Sequence, residues 1–145
     1  MEKPDFSWEN LTIGMVIGER EITLTQDSLS NYCKALGLQE TFYSSDSLYQ
    51  NPIAPPMIFV NDLLAIYDEN FKRFGTIHAT LSYDFYSPIF LDKTYHQKVT
   101  VSDLFIKREK GWIISELMVR NEEEKEIAKS LHTSVLSLTR EHQPH

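Results

Sequence analysis

The sequence predicts a single α+β domain in which two helices pack on one face of an antiparallel sheet. Three observations lead to this prediction. An apolar, helix-like segment occupies residues 51–74, a shorter helix precedes it, and residues 77–138 contain three or four long strands. A chain of 145 residues has the size of one domain. We expect the core to span residues 11–138 and the tail, residues 139–145, to be frayed.

Composition excludes several kinds of partner. The formal net charge of −7 opposes binding to nucleic acid, since a phosphate backbone is held by clustered Lys and Arg. No apolar run reaches the roughly 20 residues needed to span a membrane, and no basic-then-apolar leader opens the chain. We therefore expect a soluble, cytoplasmic protein that binds neither nucleic acid nor a membrane.

Cysteine and histidine give no sign of a metal site. The one cysteine, Cys33, rules out an internal disulfide, and its place in a predicted helix favours a buried apolar role over a nucleophile. The five histidines lack the spacing of a zinc site. We expect neither a metal nor a cofactor.

The first helix has clear local signals at both ends. After isolated aromatics at Phe6 and Trp8 and a short strand from Leu11, Thr25 is suited to cap a helix that runs to about Leu36. Gly37 is suited to end it. Its buried face is predicted to consist of Leu29, Tyr32, Cys33 and Leu36.

A long connection leads to the central helix. Residues 38–56 show no regular period, which is typical of a functional or poorly ordered loop. Pro56 suits the first position of a helix, because its missing N–H costs nothing there, and Gly75 is expected to stop the helix just after Phe74. Asn61 falls inside this apolar helix, where it either bonds a neighbouring backbone group or faces a tunnel.

The strands follow. Residues 77–86 alternate, with Ile77, Leu81 and Tyr83 on the predicted buried face and His78 on the polar face. A second strand covers residues 94–108, and a tight turn at residues 109–111 leads into the third. The basic residues at this turn could receive the phosphates of a CoA or a carrier-protein arm, or form a solvated hairpin tip: Lys107, Arg108 and Lys110.

Three stretches together resemble the MaoC-like dehydratases, a hotdog-fold group that includes the R-specific enoyl-CoA hydratases. They are TLTQDSLSNYCKALGLQ, IAPPMIF and GTIHATLSYDFYSPIFLD, and the resemblance covers residues 11–138. It implies a curved antiparallel sheet wrapped around one long helix, residues 55–74. It also implies a dimer made by pairing sheet edges.

The sequence departs from the family where its chemistry is expected. Catalytic members carry Gly-Asp-x-Asn-Pro-x-His after the first helix, and this Asp and His move protons to and from one water. The corresponding letters here are GLQETFY, so Leu38 replaces the Asp and Tyr43 the His. Neither a leucine nor a tyrosine with an ordinary pKa of about 10 can act as these bases at neutral pH.

A second departure concerns the polarisation of the thioester carbonyl. In catalytic members the central helix begins with His-Gly, and the glycine N–H fulfils this role. The glycine position falls on Pro56, which has no N–H. The resulting Ala-Pro-Pro resembles a non-catalytic or N-terminal-half subgroup of the family, whose paired hotdog unit supplies the Asp and His. Asp92 also replaces the glycine of a family turn.

The resemblance implies an acyl-thioester-binding subunit that shapes the substrate site of a hydratase or dehydratase and has no catalytic residues of its own. Its ligand is a CoA or carrier-protein thioester, and it forms a homodimer or a heterodimer with a catalytic hotdog chain. The implied substrate-binding residues are Tyr43, Pro55, Pro56, Met57, Asn61 and His78.

Two alternatives remain open. The first is an acyl-CoA thioesterase in which a loop carboxylate, Asp46 or Glu40, activates water. The second is a homodimeric binding module without enzymatic activity. Release of free thiol from acyl-CoA esters would distinguish the thioesterase from the non-catalytic subunit. A melting temperature that no CoA ester changes would favour the binding module.

Overall fold

The computed structural model describes residues 2–39, 51–73 and 75–138. It contains one five-stranded antiparallel sheet with the strand order β1-β3-β4-β5-β2 and confirms the predicted α+β class. The strands are β1 (Val16–Thr23), β2 (Ile77–Phe85), β3 (Thr94–Lys107), β4 (Lys110–Asn121) and β5 (Glu126–Ser137). The α-helices are α1 (Gln26–Leu36) and α2 (Asp62–Asn70). Within the described ranges, no helix is long and apolar enough to cross a membrane.

The core lies between α2 and the central strands. Alternate residues of β3 and β4 are fully buried on the face that α2 covers: Val99, Val101, Leu117 and Val119. Leu63 and Ile66 of α2 pack into the same cluster, which also includes Phe6 from the N-terminal segment. At about 25 cal/mol per Å² of apolar surface removed from water, this layer is the main stabilising contribution to the fold.

The first helix forms as its local signals predict. The Thr25 side chain accepts a hydrogen bond from the Ser28 backbone N–H at 3.2 Å, and Gly37 ends the helix in the left-handed conformation with φ of 67°. Leu29 and Cys33 are buried as expected. The prediction for Leu36 is wrong, because this last helical residue is mostly exposed and only the middle of the helix enters the core.

The central helix is shorter than predicted. A 3₁₀ turn, Pro56–Phe59, precedes α2, which ends at Asn70 rather than at residue 74. The chain leaves the helix at Phe71 because the N-terminal segment pairs with the next residue, through hydrogen bonds from the Lys72 N–H to Pro4 and from the Phe6 N–H to Lys72. The expected stop at Gly75 is therefore wrong, and Phe74 lies outside the described residues.

Strand β2 is an edge strand rather than a half-buried one. It pairs with β5 and not with the next strand in sequence, and its residues are exposed apart from Tyr83, which is half-buried. A bulge between His78 and Thr80 shifts the register, so that His78 lies opposite Ser134 on the same face as Leu81. The predicted burial of Ile77 and Leu81, and the placement of His78 on the opposite face, are thus wrong, because α2 packs over β1 and β4 and not over this edge.

Among the described residues, left-handed residues other than glycine occur in three turns: before β3, between β3 and β4, and at Glu124 between β4 and β5. The β3–β4 turn is formed by Arg108 and Glu109, with φ of 52° and 57°, one residue earlier than predicted. Gly111 belongs to β4, where the Trp8 ring occupies the space that a side chain would need. Asp92, with φ of 56°, has the conformation that the glycine of the family turn would favour.

Candidate ligand site at the start of α2

The segment that enters α2 holds four of the predicted binding residues. Pro55 is buried in an extended conformation, and Pro56 is the first residue of the 3₁₀ turn. Met57 is 36% exposed, so apolar surface is accessible beside the two prolines. Pro56 offers no N–H to a ligand at this position.

Asn61 lies at the surface immediately before α2. It is exposed, its side chain makes no capping hydrogen bond, and its carbonyl accepts from the N–H groups of Leu64 and Ala65. The prediction that Asn61 lies inside the helix is wrong, because the 3₁₀ turn ends before it and α2 begins after it, at Asp62. Its side chain makes no capping bond to the backbone, and the alternative that it faces a tunnel stays a prediction.

Leu38 follows the cap of α1 directly. Its backbone N–H donates to the Cys33 carbonyl at 2.9 Å, and its side chain is 37% exposed. Glu40, Tyr43 and Asp46 lie outside the described residues, so their roles stay predictions from the sequence. Among the residues that are described, no group of three potential metal ligands comes together.

A partly buried polar network anchors the start of α2 to the sheet. Gln97 is fully buried; it accepts from Arg20 Nε at 2.9 Å and donates to Asp62 Oδ2 at 2.6 Å. Arg20 also contacts the carboxylates of Asp62 at 3.3 Å and Glu69 at 2.5 Å. Burial raises the pKa of the Asp62 carboxyl, although the Gln97 hydrogen bond and the Arg20 charge oppose this shift. The network fixes the helix on β1 and β3.

A second polar group lies on the α2-facing side of β2 and β5. Tyr83 pairs with Ser130, and Leu81 pairs with His132. The imidazole rings of His78 and His132 are in contact, with centroids 4.4 Å apart. Burial, with the Asp62 and Tyr32 charges as further causes, raises the pKa of the Tyr83 phenol, which therefore lies within electrostatic reach of the start of α2. We call Tyr83, Ser130, His132 and His78 the β2–β5 cluster.

Ser130 and His132 were not among the binding residues predicted from the sequence. The signal was present in the alternation of β5, where Ser130, His132 and Ser134 share one face. Three polar residues in a row on the face that meets the helix predict a polar strip within an otherwise apolar layer.

An open cleft lies at another end of the sheet. It has a volume of about 290 Å³ between the β2–β3 connection and the β4–β5 turn, and its lining includes Lys93, Tyr95, Glu122 and Lys125. The Tyr95 hydroxyl is already bonded to the backbone of Phe90, and the charges are of both signs. The basic hairpin tip at Lys107 lies at the opposite end of β3, with its ammonium 5.8 Å from the centroid of the Trp112 ring.

Solved structures of known proteins are similar to this fold. A monoamine oxidase regulatory protein from Archaeoglobus matches with a TM-score of 0.80 and 16% identity over 96% of this chain and 99% of its own. The R-hydratase PhaJ1 from Pseudomonas aeruginosa matches with a TM-score of 0.71 and 16% identity, over 97% and 95% of the two chains. The HadBC (3R-hydroxyacyl-ACP dehydratase) complex from Mycobacterium tuberculosis matches with a TM-score of 0.73 and 10% identity, over 86% of this chain and 96% of its own.

Sequence comparisons add no further assignment. No protein-family model matches the chain, and no curated protein sequence is significantly similar to it. At identities of 10% to 16% the structural likeness establishes the architecture. The chain has the hotdog fold of the MaoC-like dehydratases and R-hydratases, as its sequence pattern predicts.

Proposed function

We propose that this chain binds an acyl thioester, on CoA or on a carrier protein, and shapes the substrate site of a hotdog hydratase or dehydratase whose catalytic residues lie on a partner chain. One observation carries the proposal: Pro56 stands at the first position of the helical segment that leads into α2, where a backbone N–H would polarise the thioester carbonyl. An acyl thioester can lie beside this segment but is not activated by it.

In a hydratase or dehydratase, an enolate-like negative charge develops on the thioester oxygen in the transition state. Losing one hydrogen-bond donor to such an oxygen raises a reaction barrier by roughly 3 to 4 kcal/mol. The position of the family's catalytic aspartate holds Leu38, whose side chain can neither accept nor release a proton. Tyr43 stands at the position of the histidine, and a tyrosine with an ordinary pKa of about 10 cannot act as a base at neutral pH either.

The binding surface in this proposal combines apolar and polar groups. Pro56 and Met57 supply exposed apolar surface for an acyl chain, with the buried Pro55 packed behind them, and the exposed Asn61 amide lies four residues beyond Met57. His78 contributes from β2, and the family resemblance assigns Tyr43 to the same site. No cofactor is required, since the ligand itself is the thioester.

Exposed apolar side chains on β2 support a partner along this edge. Ile77, Leu81 and Phe85 on β2, and Tyr86 just after it, all expose a third or more of their surface. An unpaired strand edge with such residues is a site for pairing with another chain. The HadBC structure is that of a complex. We propose a hotdog partner here, either a second copy or a catalytic chain.

The decisive experiment measures hydration of crotonyl-CoA by the purified chain alone and after co-expression with a hotdog chain that carries the Asp and His. We expect no activity alone and a stable, active complex. Activity of the lone chain that Tyr43→Phe or Asp46→Asn abolishes would overturn the proposal. Release of free thiol from acyl-CoA esters by the lone chain would instead identify a thioesterase.

A further inference from the structure

The open cleft at the end of the sheet consists of residues that the proposed function does not use. It lies between the β2–β3 connection and the β4–β5 turn. Its volume of about 290 Å³ is close to the lower end of the roughly 300 to 1,000 Å³ typical of small-molecule sites. No residue of β2 itself, Ile77–Phe85, belongs to its lining. A partner chain along the β2 edge and a ligand in this cleft therefore use different surfaces.

The floor of the cleft is apolar and partly aromatic. Tyr95 and Ile127 are 2% and 4% exposed, and Pro88 and Phe90 lie beside them, half-buried. The Tyr95 hydroxyl accepts from the Phe90 backbone N–H at 2.7 Å and lies 3.3 Å from its carbonyl oxygen. The floor therefore offers a ligand apolar contact rather than a further hydrogen bond.

The two walls of the cleft carry opposite net charge. Lys93 stands on the β2–β3 side, and the β4–β5 side holds two carboxylates and one ammonium: Glu122, Glu123 and Lys125. Within the described ranges none of these four exposed side chains forms an ion pair or a hydrogen bond. Charged residues nearby on β4 and β5 do pair, Arg120 with Glu126 and Lys129 with Glu116. The cleft thus presents charges of both signs that are not neutralised by ion pairs.

This arrangement of charges restricts the kind of ligand that fits. Burial raises the pKa of the Tyr95 phenol, and the charge of Glu122 adds to this rise, so the Glu122 carboxylate lies near the floor. A simple anion would be attracted by Lys93 but repelled by Glu122 and Glu123. A simple cation would meet the reverse. A molecule that carries both charges can satisfy both walls at once.

We propose that this cleft binds a small zwitterion with an apolar body, of the amino-acid type. Its carboxylate lies towards Lys93 and its ammonium towards Glu122 and Glu123. Its apolar side chain covers the floor formed by Tyr95 and Ile127, which removes apolar surface of both partners from water. The site uses none of the residues assigned to the thioester, so the inference does not rest on the proposed function.

The test is an NMR titration of the purified chain with L-leucine and L-phenylalanine, each compared with two analogues of single charge. The analogues 4-methylpentanoate and 3-phenylpropanoate lack the ammonium, and 3-methylbutylamine and 2-phenylethylamine lack the carboxylate. We expect at least one amino acid to shift the backbone amides of residues 87–95 and 121–127. It should bind about fivefold more tightly than either of its analogues, the upper range for an exposed ion pair.

Substitutions assign the two charges. Lys93→Met should weaken binding of the amino acid severalfold without weakening binding of the amine. Glu122→Gln/Glu123→Gln should weaken binding of the amino acid without weakening that of the carboxylate. Matched controls are Lys34→Met, at an exposed residue of α1, and Glu124→Gln, in the same turn but outside the lining; both should bind as the wild type does.

The outcomes decide this inference separately from the proposed function, which is tested with CoA esters. Absence of binding by both amino acids overturns the inference, as do equal affinities for an amino acid and its analogues. Amide shifts confined to residues outside the cleft overturn it as well. So does an affinity that remains at the wild-type value in both cleft variants.

Discussion

His78 and His132 lie on neighbouring strands with their ring centroids 4.4 Å apart, and only His132 is deeply buried. The pKa of His132 is lowered from 6.5 to about 4, mainly by burial and then by the charges of His78 and Arg73. Between these two values the unfolded chain binds a proton that the folded chain does not, so the free energy of unfolding falls as the pH decreases from 6.5 to 4. The decrease amounts to about 3 kcal/mol at most.

This pH dependence can be assigned with one substitution. We expect His132→Phe to lose less stability than the wild type between pH 7 and pH 4.5, as measured by urea denaturation at a series of pH values. His96→Gln is the control, because His96 is partly exposed beside Glu19. Parallel profiles for the wild type and His132→Phe would show that this imidazole does not remain neutral in the folded protein.

The buried amide of Gln97 should contribute measurably to stability. It bridges Arg20 and Asp62, and its replacement by leucine leaves both charged groups with one partner fewer in a partly buried place. We expect Gln97→Leu to lower the free energy of unfolding by about 1 to 3 kcal/mol in urea denaturation.

The neighbouring Lys98 provides the control for that variant. Its ammonium pairs with the exposed carboxylate of Glu19, so Lys98→Leu should cost less than about 1 kcal/mol. A Gln97→Leu variant as stable as the wild type would contradict an anchoring role of the network. The Asp62→Leu/Gln97→Leu double variant should cost less than the sum of the single variants, since the two side chains share one hydrogen bond.

The edge of β2 can be tested with two isoleucines of equal exposure. Ile77 on β2 is 63% exposed, and Ile106 near the hairpin tip is 61% exposed. We expect Ile77→Lys to weaken association with a second hotdog chain by about tenfold or more, because a charge would replace apolar surface in the contact, whereas Ile106→Lys should have no effect. Sedimentation equilibrium measures the association of both variants. Equal weakening by the two substitutions, or a wild-type chain that never associates, would exclude pairing through this edge.

The β3–β4 turn should be open to stabilisation. Arg108 and Glu109 both have positive φ in a two-residue hairpin turn, a conformation that favours Asn-Gly. We expect Arg108→Asn/Glu109→Gly to raise the free energy of unfolding by about 1 kcal/mol, because left-handed backbone costs most residues 1 to 2 kcal/mol. Lys110→Gly, in the adjoining strand, should lower it by about 0.5 to 1 kcal/mol. A double variant less stable than the wild type would contradict this turn geometry.

Structure that depends on neighbouring residues could be predicted from the sequence. Both ends of α1 follow from the Thr25 cap and the Gly37 terminator, and the alternation of β3 and β4 follows from their apolar periodicity. The architecture also followed from the resemblance, because the order of helices and strands matches the hotdog pattern.

Features that depend on residues distant in the sequence could not be predicted from it. The end of α2 is set by pairing between Lys72 and the N-terminal segment, which no local signal at Phe71 announces. The exposure of β2 results from its pairing with the last strand, and its alternation alone resembles that of a half-buried strand. The alternation of β5 places Ser130 and His132 on one face, but only the folded arrangement shows that the Ser130 hydroxyl and His132 Nδ1 have no hydrogen-bond partner among the described residues.

The strand order also has a consequence for biosynthesis. β2 is translated before β3 and β4, yet its neighbour in the sheet is β5, the last strand within the described residues. During translation Ile77 and Phe85 therefore emerge well before β5, the strand that pairs with β2. The β2–β5 pair can form only after the other strands have been synthesised. Loss of β5 by premature termination would release β2 altogether and leave a nascent chain prone to aggregation.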